Sequence, residues 1–273
     1  MNRGAGPEIP CRMKPNGEIL PVFTRIAQKY QGCTAVVIGA GGIGGAIIEL
    51  LRQSAANLVV ADRDEALLER EAAAGGAARV LPRTLDVQNP AAIADFFSSI
   101  QSTVGTPDFL FYTAGILNIE SFWDTTGDIW NRAVNVNLNG AFYCIKAVAE
   151  QMRSRQRGSI VVLGSIAGIK ARSGSRVNPV YNATKAGLAA FVNAAAMQLR
   201  PYGVRINCIS PGPTATTMMA IQPPQVLDAV NSITLDGRMN NPDEVAELAL
   251  FVAAHGRLTG EEVGMGGGAG LGG

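Results

Sequence analysis

Short apolar runs alternate with longer helical patterns along almost the whole chain, and this alternation restricts the fold more than any other feature. The runs are CTAVVI (33–38), NLVVA (57–61), ARVLPRTLDV (78–87), DFLFY (108–112), GSIVVLG (158–164), VRINCIS (204–210) and, more weakly, EEVGM (261–265). They are rich in Val, Ile and Leu without strict polar alternation, as expected for strands buried on both faces. Helical patterns separate them at 64–74, 90–104, 139–156, 186–202 and 242–255. The order predicts one doubly wound α/β domain, with a parallel sheet of about seven strands between two layers of helices.

The charge, cysteine and histidine content exclude several classes of function. Lys and Arg total 23 and Asp and Glu total 22, so a net charge of +1 favours neither nucleic acid nor a membrane surface as partner. Four scattered cysteines without a CxxC pair indicate a cytoplasmic protein and no zinc site. His255 is the only histidine, which argues against Ser-His nucleophiles and histidine-ligated metals. Residues 1–31 have no signal-peptide core and are interpreted as an N-terminal arm before a domain spanning 32–273.

Five glycines follow the first apolar run directly, within AVVIGAGGIGGAII (35–48). Gly39, Gly41 and Gly44 match G-x-G-x-x-G between a first strand and a first helix, as in Rossmann-type domains. There the first glycine forms a tight turn, the second lets the backbone approach a pyrophosphate, and the third lets helix and strand pack closely. The helix N-terminus at Ile43 would offer N–H groups to the phosphates. A tight turn without a ligand is the simpler interpretation.

An acidic residue ends the second predicted strand. Asp62 closes LVVAD at roughly the twenty-residue distance at which an acid binds the adenosine ribose. Its carboxylate would repel a 2′-phosphate, which favours NAD over NADP. Arg63 weakens this preference, because an arginine can accommodate the phosphate. Asp62 could also be the N-cap of the next helix, and the two roles are compatible.

Tyr181 and Lys185 stand four residues apart in YNATKAGLAAF, at the start of a strongly helical pattern. At this spacing both side chains lie on one face of a helix. A nearby ammonium favours the phenolate form of a tyrosine, whose ordinary pKa is ~10. Tyr181 would then serve as an acid or base for an alcohol or carbonyl. A chance pair on an exposed helix is the alternative.

The motifs occur in an order that resembles the short-chain dehydrogenase/reductase family, over about residues 33–268. Each motif is weak by itself, and the ordered set carries the resemblance. The landmarks are the glycine loop, Asp62, LDV with Asp86 and Val87, TAG with Ala114 and Gly115, NVNLNG with Asn137, GSIAG with Ser165, Tyr181-x-x-x-Lys185, and SPGPTATT with Pro211, Gly212, Thr214 and Thr216.

The resemblance implies an oxidoreductase that transfers a hydride between nicotinamide and a secondary alcohol or ketone, without a metal. Tyr181 would be the general acid/base, and Lys185 would lower the pKa of Tyr181 and hold the nicotinamide ribose. Ser165 would stabilise charge on the substrate oxygen. Asn137 would hold a water that connects Lys185 to solvent. Ser165 at a strand end and Asn137 as a helix cap are the structural alternatives.

The same resemblance implies a set of cofactor contacts. Asp86 and Val87 would flank the adenine, and Thr216 would contact the carboxamide. Pro211 and Gly212 could instead form only a turn. The full set is Gly39, Gly41, Ile43, Gly44, Asp62, Arg63, Asp86, Val87, Ala114, Gly115, Tyr181, Lys185, Pro211, Gly212, Thr214 and Thr216.

The chain departs from the family pattern at three places. Ile38 replaces a threonine before a glycine loop that is one residue short, which predicts a rebuilt phosphate cradle and weaker or displaced cofactor binding. Tyr112 and Thr113 replace two asparagines, which predicts lost polar contacts around the central strand and the cofactor. Ser165 and Tyr181 are sixteen residues apart, wider than usual.

Two segments are predicted to border the substrate. Residues 170–179 carry Lys170, Arg172 and Arg176, which form either a solvated basic loop or a surface for an acidic substrate. Residues 214–237 stand where the family keeps its substrate lid, and Met218, Met219, Ile221 and Leu227 suit an adaptable apolar wall.

Other interpretations stay open alongside the oxidoreductase. An epimerase or dehydratase on the same fold would use NAD transiently, and a non-catalytic nucleotide-binding relative would fit the altered loop. A nucleic-acid-binding protein is disfavoured by the balanced charge. The resemblance further implies a homodimer or homotetramer that pairs the helices at about 138–156 and 180–201.

Overall fold

Each of the seven apolar runs forms a parallel strand. The computed structural model of the protein describes residues 22–169, 179–221 and 224–269. The strands are β1 Thr34–Ile38, β2 Asn57–Asp62, β3 Arg79–Thr84, β4 Phe109–Tyr112, β5 Gly158–Leu163, β6 Val204–Pro211 and β7 Glu262–Met265. They form one sheet in the order β3-β2-β1-β4-β5-β6-β7. The predicted single doubly wound α/β domain is therefore confirmed.

The helical patterns correspond to helices between the strands. The helices of the described ranges are α1 Val22–Gln28, α2 Ile43–Arg52, α3 Glu65–Ala73, α4 Pro90–Val104, α5 Gly127–Val134, α6 Gly140–Arg155, α7 Pro179–Leu199, α8 Thr217–Ala220, α9 Pro224–Ser232 and α10 Pro242–Ala254. Short 3₁₀ turns add Ile166–Gly168 and Arg200–Tyr202. None of the helices in these ranges has the length and apolar character needed to cross a membrane.

A π-helix, Asn135–Asn139, joins α5 to α6. The sequence pattern predicted a helix start near Leu138, with Asn137 as one possible cap. That cap role is wrong, because α5, the π-helix and α6 run on without a break from residue 127 to 155 and place Asn137 inside the helix. The apolar pattern before residue 139 is too weak to predict α5 from the sequence.

Two helical layers cover the sheet because alternate residues of each strand face opposite sides. In β1, Val36 and Ile38 pack into a core with α4, α6 and α7. Val37, between them, packs into a second core with α2 and α10. All five residues of β1 are buried. This accounts for apolar runs without polar alternation.

Part of the predicted N-terminal arm packs onto the domain. Tyr30, which follows α1, is fully buried, and its hydroxyl donates to the carbonyl oxygen of Leu250 in α10 at 2.6 Å. Its ring lies 4.6 Å from that of Phe109, centroid to centroid. The arm's residues from 22 onward thus belong to the packed structure, and residues 1–21 lie outside the described ranges.

The strand order fixes where a ligand can bind. From β1 the chain proceeds outward to β2 and β3, then returns to β4 on the other side of β1 and proceeds to β7. The crossovers on the two sides of this reversal leave a crevice at the carboxyl ends of β1 and β4. The candidate site lies at this edge.

Candidate active site

The sequence-predicted residues gather at the carboxyl edge of the sheet. They follow or end six neighbouring strands: Gly39 after β1, Asp62 in β2, Asp86 and Val87 after β3, Ala114 and Gly115 after β4, Ser165 after β5, and Pro211 and Gly212 at β6. Tyr181 and Lys185 lie near the start of α7. Within the described ranges, no group of three or more His, Cys, Asp or Glu side chains is placed to hold a metal ion.

The glycine loop has the geometry of a phosphate cradle. Gly39 has a φ of +100°, and a Cβ there would lie 2.6 Å from the Ala114 nitrogen, so only glycine fits this turn. A Cβ on Gly44 would lie 1.8 Å from the Gly39 oxygen, which shows how closely helix and strand pack. Gly41 faces open space. The N-cap of α2, Gly42, has no side chain to cap the first turn, and although the Gly44 N–H donates to the Gly41 oxygen at 2.9 Å, the helix N-terminus still attracts an anion. The loop therefore fits a dinucleotide.

Asp62, at the end of β2, braces this loop. Its Oδ2 accepts from the Ala40 N–H at 2.7 Å, and its Oδ1 accepts from the Asp64 N–H at 3.0 Å. The N-cap of α3 is Asp64, not Asp62, because the Asp64 side chain accepts from Ala66 and Leu67. A carboxylate has about four lone-pair sites, so Asp62 keeps acceptor capacity for hydroxyl groups.

Thr113 and Tyr112 make polar contacts where the sequence predicts that such contacts are lost. The Thr113 hydroxyl lies 2.6 Å from the Gly39 oxygen and 3.0 Å from the Ile38 oxygen. The Tyr112 hydroxyl donates to the Val136 oxygen at 2.9 Å. The predicted loss is therefore wrong for the central strand, whereas the predicted loss of contacts with the cofactor stays a prediction. The sequence shows only that both positions carry a hydroxyl. It does not show which groups these hydroxyls bind, because the partners lie far away along the chain.

Ser165, Tyr181 and Lys185 form the chemical centre. The side chains of Ser165 and Tyr181 lie close enough for Ser165 to lower the pKa of the Tyr181 phenol. Lys185 is buried, and its Nζ donates to the Leu163 oxygen at 2.7 Å, 5.8 Å from the centroid of the Tyr181 ring. Ser165 also caps the 3₁₀ turn that follows it, by accepting from the Ala167 N–H at 3.2 Å. A hydroxyl pair beside an ammonium can exchange a proton with a substrate oxygen.

Burial dominates the pKa values of this centre. It raises the pKa of Tyr181 above 10.0, against the opposing effect of Ser165. It also lowers the pKa of Lys185 to about 8. The sequence predicts a lowered pKa for Tyr181. The direction differs because burial of the phenol outweighs the opposing effect of Ser165, while the Lys185 ammonium is bonded to the Leu163 oxygen and not to the phenol.

Asn137 clamps the chain that leaves β4. Its Oδ1 accepts from the Ile116 N–H at 2.8 Å, and its Nδ2 donates to the Ile116 oxygen at 3.0 Å and to Thr184 Oγ1 at 3.2 Å. A Cβ on Gly115 would lie 3.3 Å from Asn137 Oδ1 and 3.5 Å from Lys185 Nζ. The two polar groups therefore face the same small space beside Gly115, where a relay water would have to bind.

The predicted lid begins against the glycine loop. A Cβ on Gly42 would lie 2.9 Å from Cγ2 of Thr216, so the threonine methyl packs on the loop. Thr214 is buried and pairs with Asn240 in an isolated bridge. Met218 and Ile221 are exposed in and beside α8. Lys170, Arg172 and Arg176 lie outside the described residues.

The remaining predicted residues flank these groups. Val87 is buried, and the Asp86 carboxylate accepts from the Gln88 N–H at 2.9 Å. Arg63 is exposed beside Asp62. The Gly212 N–H donates to the Met265 oxygen at 2.8 Å, which ties the end of β6 to β7.

Comparison with known proteins agrees with this architecture. A family model described as Enoyl-(Acyl carrier protein) reductase matches residues 38–269. The chain is 32% identical to a cyclopentanol dehydrogenase from Comamonas sp. (strain NCIMB 9872), over 79% of this chain and 87% of the relative. It is 31% identical to galactitol 2-dehydrogenase (L-tagatose-forming) from Cereibacter sphaeroides, over 84% and 91% of the two chains.

Solved structures give the same result. A 3-oxoacyl-[acyl-carrier protein] reductase with bound NAD from Brucella melitensis superposes with a TM-score of 0.80 at 29% identity, covering 93% of this chain and 97% of that chain. The match of the family model extends from the end of β1 to beyond β7 and so includes the whole candidate site. The chain belongs to the short-chain dehydrogenase/reductase family of oxidoreductases.

Proposed function

We propose that this oxidoreductase is NAD-dependent and transfers a hydride between nicotinamide and a secondary alcohol or ketone, with Tyr181 as general acid/base. The observation that carries the proposal is the grouping of Tyr181 with Ser165 and the buried Lys185, whose Nζ lies 5.8 Å from the centroid of the Tyr181 ring. These three groups lie at the carboxyl edge, next to the glycine loop. A proton donor and a second hydroxyl can there bind one substrate oxygen together.

Each residue of the centre has a separate task. Tyr181 gives its hydroxyl proton to a carbonyl oxygen in reduction, or accepts one in oxidation. Ser165 donates a hydrogen bond to the same oxygen and orients it. Lys185 places its ammonium 5.8 Å from the centroid of the Tyr181 ring and would hold the nicotinamide ribose. The nicotinamide dinucleotide, when bound, supplies the hydride chemistry. The glycine loop, Asp62 and the Asp86–Val87 turn hold that dinucleotide.

The preference for NAD is proposed from the charge at the ribose position. Asp62 presents a carboxylate at the end of β2, and a 2′-phosphate would meet its negative charge. The exposed Arg63 has the opposite effect and limits the preference. The similar Brucella melitensis reductase, which holds NAD, supports the same choice.

The substrate class is proposed from the relatives and the chemistry together. Cyclopentanol dehydrogenase and galactitol 2-dehydrogenase are both named for alcohols oxidised at a ring or chain carbon. A tyrosine acid/base acting on one substrate oxygen suits this reaction in either direction. The part of the lid that packs on the glycine loop, at Thr216, would bring substrate and cofactor together.

The test replaces only the phenolic hydroxyl at the centre. Tyr181→Phe is expected to abolish turnover of a panel of secondary alcohols and ketones while NADH binding, measured by fluorescence titration, changes less than about threefold. Tyr202→Phe is the control, because Tyr202 lies before β6 at the opposite edge of the sheet. Equal loss of binding and turnover would contradict the proposed role. Conversion of substrate without net NADH formation would instead favour an epimerase or dehydratase.

A homo-oligomer is proposed on the outer faces of α6 and α7. Phe142 is 40% exposed there, Met197 is 75% exposed, and the Phe142 and Phe191 rings meet edge to face at 5.8 Å. An exposed aromatic group on two neighbouring helices suits a twofold contact between copies. Phe142→Glu is expected to reduce the mass measured by light scattering to that of a monomer.

The cytoplasmic location predicted from the sequence stays a prediction.

A further inference from the structure

We propose that Tyr112 is a positioning residue for this reaction, whose hydroxyl stabilises the π-helix that carries Asn137 and thereby sets the place of Asn137 in the site. This inference rests on the proposed function, because it concerns a residue on which that function depends. Tyr112 stands where the family resemblance leads one to expect an asparagine. The inference therefore concerns a contact particular to this chain.

The helix around Asn137 changes its hydrogen bonding at one turn. In an α-helix the N–H of Gly140 would be donated to the Val136 oxygen, four residues earlier. Here it is donated to the Asn135 oxygen, five residues earlier, as in a π-helix. The Val136 oxygen therefore loses the donor that an α-helix would give it. A buried carbonyl without a donor is costly, so the π form requires a replacement.

Tyr112 supplies that replacement. Its hydroxyl donates to the Val136 oxygen at 2.9 Å in a buried environment. The side chain is only 1% exposed, and burial raises the pKa of Tyr112 well above 10.0. The phenol thus keeps its proton and remains a donor. It stabilises the π form more than the α form, because in the α form the Gly140 N–H would already give this carbonyl one hydrogen bond.

The sheet holds the Tyr112 hydroxyl in a fixed position. Tyr112 ends β4 in the middle of the sheet, paired in register with Ile38 on one side and Val162 on the other. The helix leaves space for the hydroxyl only because residue 140 is glycine, since a Cβ there would lie 2.8 Å from the Tyr112 oxygen. The hydroxyl therefore ties the helix to the part of the sheet that carries the glycine loop.

The position of Asn137 depends on this turn. An α-helix rotates by about 100° per residue. A change from π to α hydrogen bonding would therefore rotate the side chains that precede the π turn relative to the side chains that follow it. Asn137, next to Val136, would then leave the Ile116 N–H and oxygen that it now binds at 2.8 and 3.0 Å. Its Oδ1 would also leave the space that it shares with Lys185.

The experiment compares two buried tyrosines whose hydroxyls both donate to a main-chain oxygen. Tyr112→Phe removes the bond to Val136, and Tyr30→Phe removes the bond from Tyr30 to Leu250, on the opposite face of the sheet. Both variants are expected to lose similar thermal stability. Only Tyr112→Phe is expected to speed amide hydrogen exchange of Ile116, measured by NMR, by about tenfold or more.

Turnover gives the second readout. Tyr112→Phe is expected to lower kcat by roughly tenfold with NADH binding unchanged, and to lower it no further in an Asn137→Ala background. Equal exchange at Ile116 in the two tyrosine variants would overturn the inference, as would additive losses of kcat. If Asn137→Ala leaves turnover intact, the proposed role of Asn137 fails instead, and exchange at Ile116 still decides the role of Tyr112.

Discussion

The hydroxyl of Thr113 lies 2.6 Å from the carbonyl oxygen of Gly39 and so joins the end of the central strand to the glycine loop. The same hydroxyl lies 2.6 Å from where a Cβ of Gly44 would be. Thr113 thus contacts both the turn and the start of α2 that the shortened loop connects. A single side chain in this way supports a loop that is one residue shorter than the family pattern.

Thr113→Val keeps the shape of the side chain and removes its hydroxyl. We expect the Kd for NADH, measured by fluorescence titration, to rise roughly tenfold, because the Gly39 carbonyl loses its donor and the loop loosens. Thr113→Ser, which retains the hydroxyl, is expected to bind within about threefold of the wild type. If Val and Ser weaken binding equally, the methyl group and not the hydroxyl supports the loop.

Two glycines of the loop should respond to alanine in different ways. Gly44→Ala is expected to lower the free energy of unfolding by more than about 3 kcal/mol, since its Cβ would lie 1.8 Å from a main-chain oxygen. Gly41→Ala meets nothing within 4 Å and should leave stability within about 1 kcal/mol. It should nevertheless weaken NADH binding about tenfold, since the new methyl would stand where phosphate approaches. Unchanged NADH binding would show that the phosphates lie elsewhere.

Asp62→Asn removes the charge at the proposed ribose position and keeps one amide oxygen for the Ala40 N–H, while the Asp64 N–H loses its acceptor. We expect the ratio of the NADPH Kd to the NADH Kd to fall about tenfold, because the repulsion of the 2′-phosphate disappears. Asp64→Asn is the matched control, since it removes a charge two residues away while asparagine still caps α3. Asp62 would have no part in cofactor choice if both variants changed the ratio equally.

The buried ammonium of Lys185 should make stability depend on pH in a defined range. Burial lowers its pKa from 10.5 to about 8, so between these values the unfolded chain binds more protons at Lys185 than the folded chain does. The free energy of unfolding therefore rises with pH across this range. Below pH 8 Lys185 is protonated in both states, and the folded protein bears the full cost of burying its charge. Relative to Lys185→Met, the melting temperature of the wild type should rise between pH 8 and 10, by roughly 2–4 °C for each kcal/mol. A constant difference between the two proteins would contradict a depressed pKa.

The sequence alone determined the sheet and the roles of the loop glycines. Val36 and Val37 belong to an uninterrupted apolar run because each faces a different core, and a run of this kind already implies burial on both faces. Gly39 and Gly44 follow from a pattern whose steric reasons lie within a few neighbouring residues. The order of motifs from Asp62 to Lys185 also indicated the family. These features depend on local backbone conformation and burial, which neighbouring residues largely fix.

Only the tertiary structure decided which groups the hydroxyls at the expected asparagine positions bind and which group the Lys185 ammonium contacts. Tyr112 and Thr113 find carbonyl partners 24 and 74 residues away along the chain, at Val136 and Gly39. Lys185 bonds the Leu163 oxygen at the end of a neighbouring strand, and burial at this place lowers the pKa of Lys185 and raises that of Tyr181. No local pattern encodes such pairs, because they exist only once strands and helices are packed against one another. The spacing of Tyr181 and Lys185 therefore identified the chemistry, whereas the packing of the sheet determined how their charges behave.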